Sequence, residues 1–289
     1  MVWNGLTEEA LPYCEETLEK ARDSGDAEGE AAELANISVI YDRRRDYEAA
    51  LRYAHLAEEA ARRASSPDLQ AGAIGRQATV LMRLGRPTEA ERRLEAKRDL
   101  AHETGRLSRY AEALRDIARI RRERPAERND ARQMYEEAAA VFWDLGQYAD
   151  YRLTLNGLGI LENEAGLFDA AEEVFGRVLR SAVDDEDEGD QARAKMHLGI
   201  VHRYRGSQRD VEAAEIEFRE ALPLAASAQE ADKLGDVLLN LAYLLLENKG
   251  DELGARDAAE AAAEAYANVQ SDKEFQAREL VSTIDSTNN

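Results

Sequence analysis

The sequence predicts an all-α, right-handed solenoid of antiparallel helix pairs, about 14 helices in all. Three observations predict it. Six self-similar segments start at Leu34, Ile74, Leu114, Leu155, Lys195 and Leu238, spaced 40, 40, 41, 40 and 43 residues apart. Each is followed by a turn and a second stretch with small or apolar residues at helical spacing. These are Ala50, Ala54 and Ala57, then Ala90, Leu94 and Ala96, then Ala131, Tyr135 and Ala138. The series continues with Ala171, Phe175 and Val178, then Ala214, Phe218 and Ala221, then Ala255, Ala259 and Ala262. Finally, only five of the 289 residues are Pro, and Ala, Glu, Arg and Leu dominate, so little interrupts helix formation. A two-helix unit of this size cannot bury its apolar faces alone and becomes stable by stacking on its neighbours.

Residues 6–27 read as the second half of a repeat whose first half is missing, with Ala10, Cys14 and Thr17 at second-helix spacing, and are expected to cap the array; derivation from a longer array is the alternative. Pro12 must then lie in the first turn of that helix or kink it. Six repeats follow, at 31–70, 71–110, 111–150, 151–190, 191–233 and 234–270. Their internal turns are Arg43–Asp46, Gly85–Pro87, a longer Arg122–Asn129, Gly166–Phe168, a longer Gly206–Val211, and Gly250–Asp251. Gly reaches the left-handed conformation at a helix C-terminus without strain, and Pro87 suits a first turn. Residues 271–285 carry Phe275, Leu280, Val281 and Ile284 on one stripe and are expected to close the last repeat. No segment between repeats is long enough for a flexible linker, so 1–289 is expected to form one continuous array.

The formal charge is −21, unevenly spread: −7 over residues 1–30, +4 over 31–130, −11 over 131–190 and −7 over 191–289. Only six basic residues are Lys. Excess acid with little Lys suits a salt-accumulating host; a GC-rich genome encoding Arg and Ala in place of Lys is the other reading. No apolar run reaches the roughly twenty residues that span a bilayer, and the start lacks a signal-peptide pattern, so the expectation is a cytoplasmic protein without membrane contact. The single Cys14 excludes an intrachain disulfide.

Reaction machinery is not apparent. His197 and His202 are five residues apart, about 140° around a helix, which does not suit two ligands of one zinc ion. The run Asp184–Asp190 resembles a calcium loop at its start, but Ala192 and Lys195 stand at its ninth and twelfth positions, where ligands are needed. It is expected to be a solvated loop. Phosphate-binding and nucleophile-elbow motifs are absent, so neither enzyme activity, metal nor cofactor is expected.

Within each repeat the pattern resembles the tetratricopeptide repeat, in the forty-residue form of kinesin light chains, G-protein-regulatory spindle adaptors and bacterial sensor regions. Leu155, Leu158, Gly159, Gly166, Ala171 and Phe175 carry it best, followed by Leu34, Ile37, Ser38, Tyr41 and Ala50. Gln77 and Arg121 depart from it. The resemblance implies that first helices line a concave groove where partners bind. It places Asn36, Arg43, Arg76, Arg83, Arg115, Arg119, Arg122, Asn156, His197, Arg203, Asn240 and Tyr243 there. Arg115, Arg119 and Arg122 also share a helix face by spacing alone. Arg forks bind carboxylates, and Asn can hold a peptide backbone through donor and acceptor. The expected function is a noncatalytic scaffold or adaptor for a peptide or partner surface, acidic in character; a ligand- or peptide-sensing module is the alternative. Pairing of the arginines with Glu112, Asp116 and Glu123 is the competing reading of the basic stripe. Nucleic acid is disfavoured by the net charge and sparse aromatics. The sequence leaves oligomeric state open.

Overall fold

The structure, a computed structural model, describes residues 7–287, all in helices and short turns. Leu6, the expected start of the N-terminal half repeat, lies outside the described residues. Two compact units are formed, Met1–Gln147 and Tyr148–Asn289. The first holds α1 (Thr7–Ser24), α2 (Ala27–Arg43), α3 (Tyr47–Arg63), α4 (Pro67–Arg83), α5 (Pro87–Glu103), α6 (Leu107–Arg122) and α7 (Arg128–Asp144). The second holds α8 (Tyr148–Glu164), α9 (Phe168–Asp184), α10 (Glu188–Arg205), α11 (Gln208–Ser227), α12 (Ala231–Tyr243), α13 (Glu252–Ala267) and α14 (Glu274–Thr287). Within each unit every helix packs on the next. First helices also touch one another: α4 lies beside α2 and α6, and α10 beside α8 and α12.

The turns explain the period. Left-handed residues recur about every twenty positions, at Gly25, Arg45, Ser65, Gly85 and Gly105 in the first unit and at Gly166, Glu186 and Gly206 in the second. At all of these except Gly206, whose single amide bond goes to His202 O, two amides reach back to close the helix end. Arg45 N donates to Asp42 O (3.0 Å) and Asp46 N to Tyr41 O (3.0 Å). These are the paired bonds of a Schellman turn, which satisfy carbonyls that the helix leaves open. The next helix starts at once: Asp46, Asp187 and Asp251 accept from the amides of Ala49, Asp190 and Gly254. Pro67 and Pro87 open α4 and α5, where a missing N–H costs nothing.

Four expectations about local structure need correction. The turn after α10 is only Gly206 and Ser207; the 43-residue spacing comes from α11, which runs for 20 residues with Pro223 inside it. Phe275 is 73% exposed, off the stripe that buries Leu280 and Ile284. Of the two placements expected for Pro12 the first turn does not hold, since Pro12 lies further inside α1, where its ring nitrogen cannot donate to the preceding turn. Ala96 is exposed; Lys97, three residues after Leu94, occupies the buried stripe instead and is 4% exposed. The third turn is long as expected and contains a short 3₁₀ segment, Pro125–Glu127. A π-helical turn, Leu244–Lys249, follows α12.

Packing within the pairs depends on size complementarity. Phe175, Phe218 and Tyr266 on second helices are all but fully buried. Each lies against a first-helix glycine, Gly159, Gly199 and Gly235, where an added Cβ would sit 2.6–2.7 Å from the ring. At the same registers the second and third repeats pair Ala78 with Leu94 and Ala118 with Tyr135, all buried, and only the first reverses the sizes, with Ser38 on the first helix and Ala54 on the second. Ser38 Oγ donates to Ala50 O at 2.8 Å.

Candidate functional site

In the first unit, part of the expected basic stripe is gathered around a buried carboxylate. Asp42, on α2, is 3.0 Å from Arg83 Nε on α4. Arg76 is half-buried on the same face, and its desolvation, with the charges of Arg83 and Arg43, lowers its pKa against the opposing pull of Asp42. Arg43 is exposed beside them, and Asn36 is half-buried with its amide 3.4 Å from Glu33.

On α6 the three arginines differ. The Arg115 guanidinium lies 5.4 Å from the centre of the Phe142 ring and 3.9 Å from Asp116. Arg122 donates to Glu123 at 2.9 Å. Arg119 is exposed and makes no hydrogen bond or ion pair among the described residues. The competing reading thus describes Arg122 and, weakly, Arg115, but not Arg119. Glu112 is engaged elsewhere, by Lys97 (2.7 Å) and Arg109 (3.1 Å). Burial raises the Glu112 pKa, and these two cations more than reverse that shift.

In the second unit the first helices carry a different surface. Asn156 and Asn163 stand seven residues apart on α8 and share a face. Asn156 is buried, and both of its amide atoms lack a hydrogen-bond partner; the Asn163 carbonyl is likewise buried and unsatisfied. Forty residues after Asn163, in the same register on α10, is Arg203. Its guanidinium is 5.1 Å from the Tyr204 ring centre and 5.7 Å from that of Tyr243 on α12. Tyr243 Oη accepts from Gln276 Nε2 of α14 (3.2 Å). Ile160, Ile200 and Tyr243, at one register of α8, α10 and α12, are partly buried apolar residues. Together they give this face an apolar floor beside unmet polar groups.

Two of the expected residues have other work. His197 stacks on Phe175 with ring centres 4.8 Å apart, and burial, reinforced by Arg193, draws its pKa down to about 4. It is therefore a neutral packing group near neutral pH. Asn240 donates to the Asp236 carbonyl of its own helix (2.8 Å).

The acidic run 184–190 is not merely solvated. Arg152 of α8, only 3% exposed, donates to Asp190 (2.7 Å), Asp187 (3.1 Å) and Asp185. Burial alone would lower the Arg152 pKa, and these carboxylates raise it instead. Sequence reasoning missed both Arg152 and Lys97, although the repeats marked them. Arg152 stands where other repeats carry Ala31, Ala71, Ala111, Ala192 and Gly235, and Lys97 where they carry Ala57, Ala138, Val178, Ala221 and Ala262. A charge in a column of small residues marks a buried ion pair. Among the described residues, no three His, Cys, Asp or Glu side chains converge to hold a metal ion, and no helix is long and apolar enough to cross a membrane.

Helical pairs of this kind, with polar groups presented on stacked first helices, define a tetratricopeptide-like repeat protein. More particularly, the chain belongs to the soluble NSF attachment protein family, whose profile matches residues 16–188, more than half its length. No curated protein matches the sequence significantly. Among solved structures, the apo form of RapI is similar at 15% identity over 92% of this chain and 93% of its own (TM-score 0.68). NprR in complex with its cognate peptide NprX is similar at 13% identity over 97% and 83% (TM-score 0.58). A STAND ATPase with a tetratricopeptide repeat sensor, from Pyrococcus horikoshii, matches at 12% identity over 89% of this chain but only 41% of its own (TM-score 0.68). The resemblance to tetratricopeptide repeats therefore holds at the level of the fold.

Proposed function

We propose that the chain is a noncatalytic binding module that receives an extended polypeptide segment on the first-helix face of its second unit. The observation that carries this reading is Asn156, a buried side chain whose amide N–H and carbonyl are both unmet. An unsatisfied buried polar group costs about 1–3 kcal/mol, a cost that function can maintain. A polypeptide backbone offers one acceptor and one donor per residue, the complement of an Asn side chain. The apolar floor of Ile160, Ile200 and Tyr243 suits the peptide's side chains. Support by analogy comes from NprR, a protein of similar fold, which holds its cognate peptide. On the first unit, exposed Arg119 and the Arg43, Arg76 and Arg83 cluster suit an acidic partner surface.

A sensing role is favoured by one feature. The π-helical turn Leu244–Lys249 directly follows Tyr243, and such turns mark places where a helix can adjust. Slowed hydrogen exchange there on peptide binding would support sensing over passive docking.

The test is selection of random peptides on the intact protein, followed by calorimetry with the near-isosteric Asn156→Leu variant. Binding is expected to weaken about tenfold or more, while stability rises by about 1 kcal/mol because an unmet polar group is removed. Unchanged affinity in a folded variant would contradict the reading.

A further inference from the structure

We infer that Arg203 is a receptor for one carboxylate side chain, Asp or Glu, of the polypeptide held on α8, α10 and α12; the inference rests on the peptide reading above. Arg203 makes no hydrogen bond or ion pair among the described residues, and its Nη1 is buried without a partner. That is unusual for its surroundings. Residues 148–289 contain 30 acidic and 14 basic side chains, a net −16. The other cations of α10 are taken: Arg193 by Asp190, Lys195 by Glu217 and Glu220, Arg205 by Asp169 and Glu172.

Two aromatic rings hold the Arg203 guanidinium instead, Tyr204 at 5.1 Å and Tyr243 at 5.7 Å. The bond from Gln276 restrains the second ring. Cation–π contact fixes the plane of the fork without using its N–H donors, and with Nη1 buried the Nε and Nη2 edge remains available for two parallel bonds to a carboxylate. One fixed positive charge matches one carboxylate. A phosphate dianion or a nucleic acid strand would be left under-neutralised in a unit of net −16.

Position on the peptide follows from register. Asn163 and Arg203 occupy equivalent places on adjacent helices, which pack about 8–10 Å apart. An extended chain advances roughly 3.3 Å per residue. The acidic residue therefore lies about three residues from the one that Asn163 contacts.

A random twelve-residue peptide library is selected against the intact wild-type protein and, separately, against Arg203→Gln, Arg203→Lys and Arg203→Glu, each checked for native circular dichroism. Wild-type peptides are expected to converge on Asp or Glu at one position, and amidating that residue should weaken binding about 10- to 100-fold. Arg203→Gln should bind the acidic and amidated peptides equally, and Arg203→Lys should recover part of the difference. Selection on Arg203→Glu should yield Lys or Arg at the same position. Enriched peptides without an acidic preference would overturn the carboxylate assignment and leave the peptide reading intact. Failure to enrich any peptide would contradict both. Displacement of a selected peptide by equimolar single-stranded oligonucleotide would overturn the assignment in favour of a phosphate backbone.

Discussion

Gly159→Ala tests whether the helix pairs owe their fit to size complementarity. The new Cβ would lie 2.6 Å from Phe175 Cε1 and Cζ and 2.9 Å from Cε2. Carbon atoms prefer about 3.5–4.0 Å, so the ring has to move by roughly 1 Å. Phe175 is 1% exposed and carries the His197 ring 4.8 Å away, so the movement displaces a second buried group. Overpacking of this kind costs about 1–3 kcal/mol. Replacing a helical Gly by Ala returns about 0.8–1 kcal/mol, leaving a net loss of up to about 2 kcal/mol.

The control is Gly72→Ala, in the middle of α4, where a Cβ meets nothing within 4 Å. It should stabilise by about 1 kcal/mol. Urea unfolding followed by circular dichroism is expected to separate the two variants by about 1–3 kcal/mol, and Phe175→Leu should offset part of the Gly159→Ala loss. Equal stabilisation by Gly72→Ala and Gly159→Ala would refute the packing argument.

Two further predictions concern buried charge. Arg152→Ala should destabilise the second unit by about 2–4 kcal/mol at low salt, because Asp185, Asp187 and Asp190 lose their shared counter-ion; molar KCl should recover part of this by screening their repulsion. An equal loss at all salt concentrations would show that their repulsion is not the cause. The folded His197 has a pKa near 4 against an ordinary 6.5. Between these values the unfolded chain binds the proton and the folded chain does not, so this contribution is complete above pH 6.5 and is lost as pH falls toward 4. Compared with His197→Gln, the wild type should lose an additional amount on the order of 1–3 kcal/mol over that window, measured by urea unfolding at each pH. Parallel pH profiles for the two would contradict the assignment.

The repeat period, the helix order and most turns were readable from the sequence, because each depends on local chemistry. Gly at the left-handed turn, Asp or Pro at the helix start, and small residues at helical spacing are visible one position at a time. Lys97 and Arg152 were not, because a charged residue is buried only when a distant carboxylate meets it. Glu112 lies 15 residues from Lys97, and Asp190 lies 38 residues from Arg152. The site was legible in outline. First-helix registers pointed to Asn156, Arg203 and Tyr243, whereas periodicity could not reveal that Asn156 is unsatisfied or that two rings hold Arg203. His197 shows the converse: its position suggested a binding residue, and its stacking on Phe175 makes it part of the packing.

The central claim is that a polypeptide lies along the first helices of the second unit and engages Asn156. Side-chain amide NMR of the protein, titrated with a peptide selected on it, tests this most directly. The account predicts that the Asn156 and Asn163 amide resonances shift in proportion to occupancy, along with backbone signals from α8, α10 and α12. Shifts confined to α9, α11 and α13, with both Asn side chains unmoved, would contradict it.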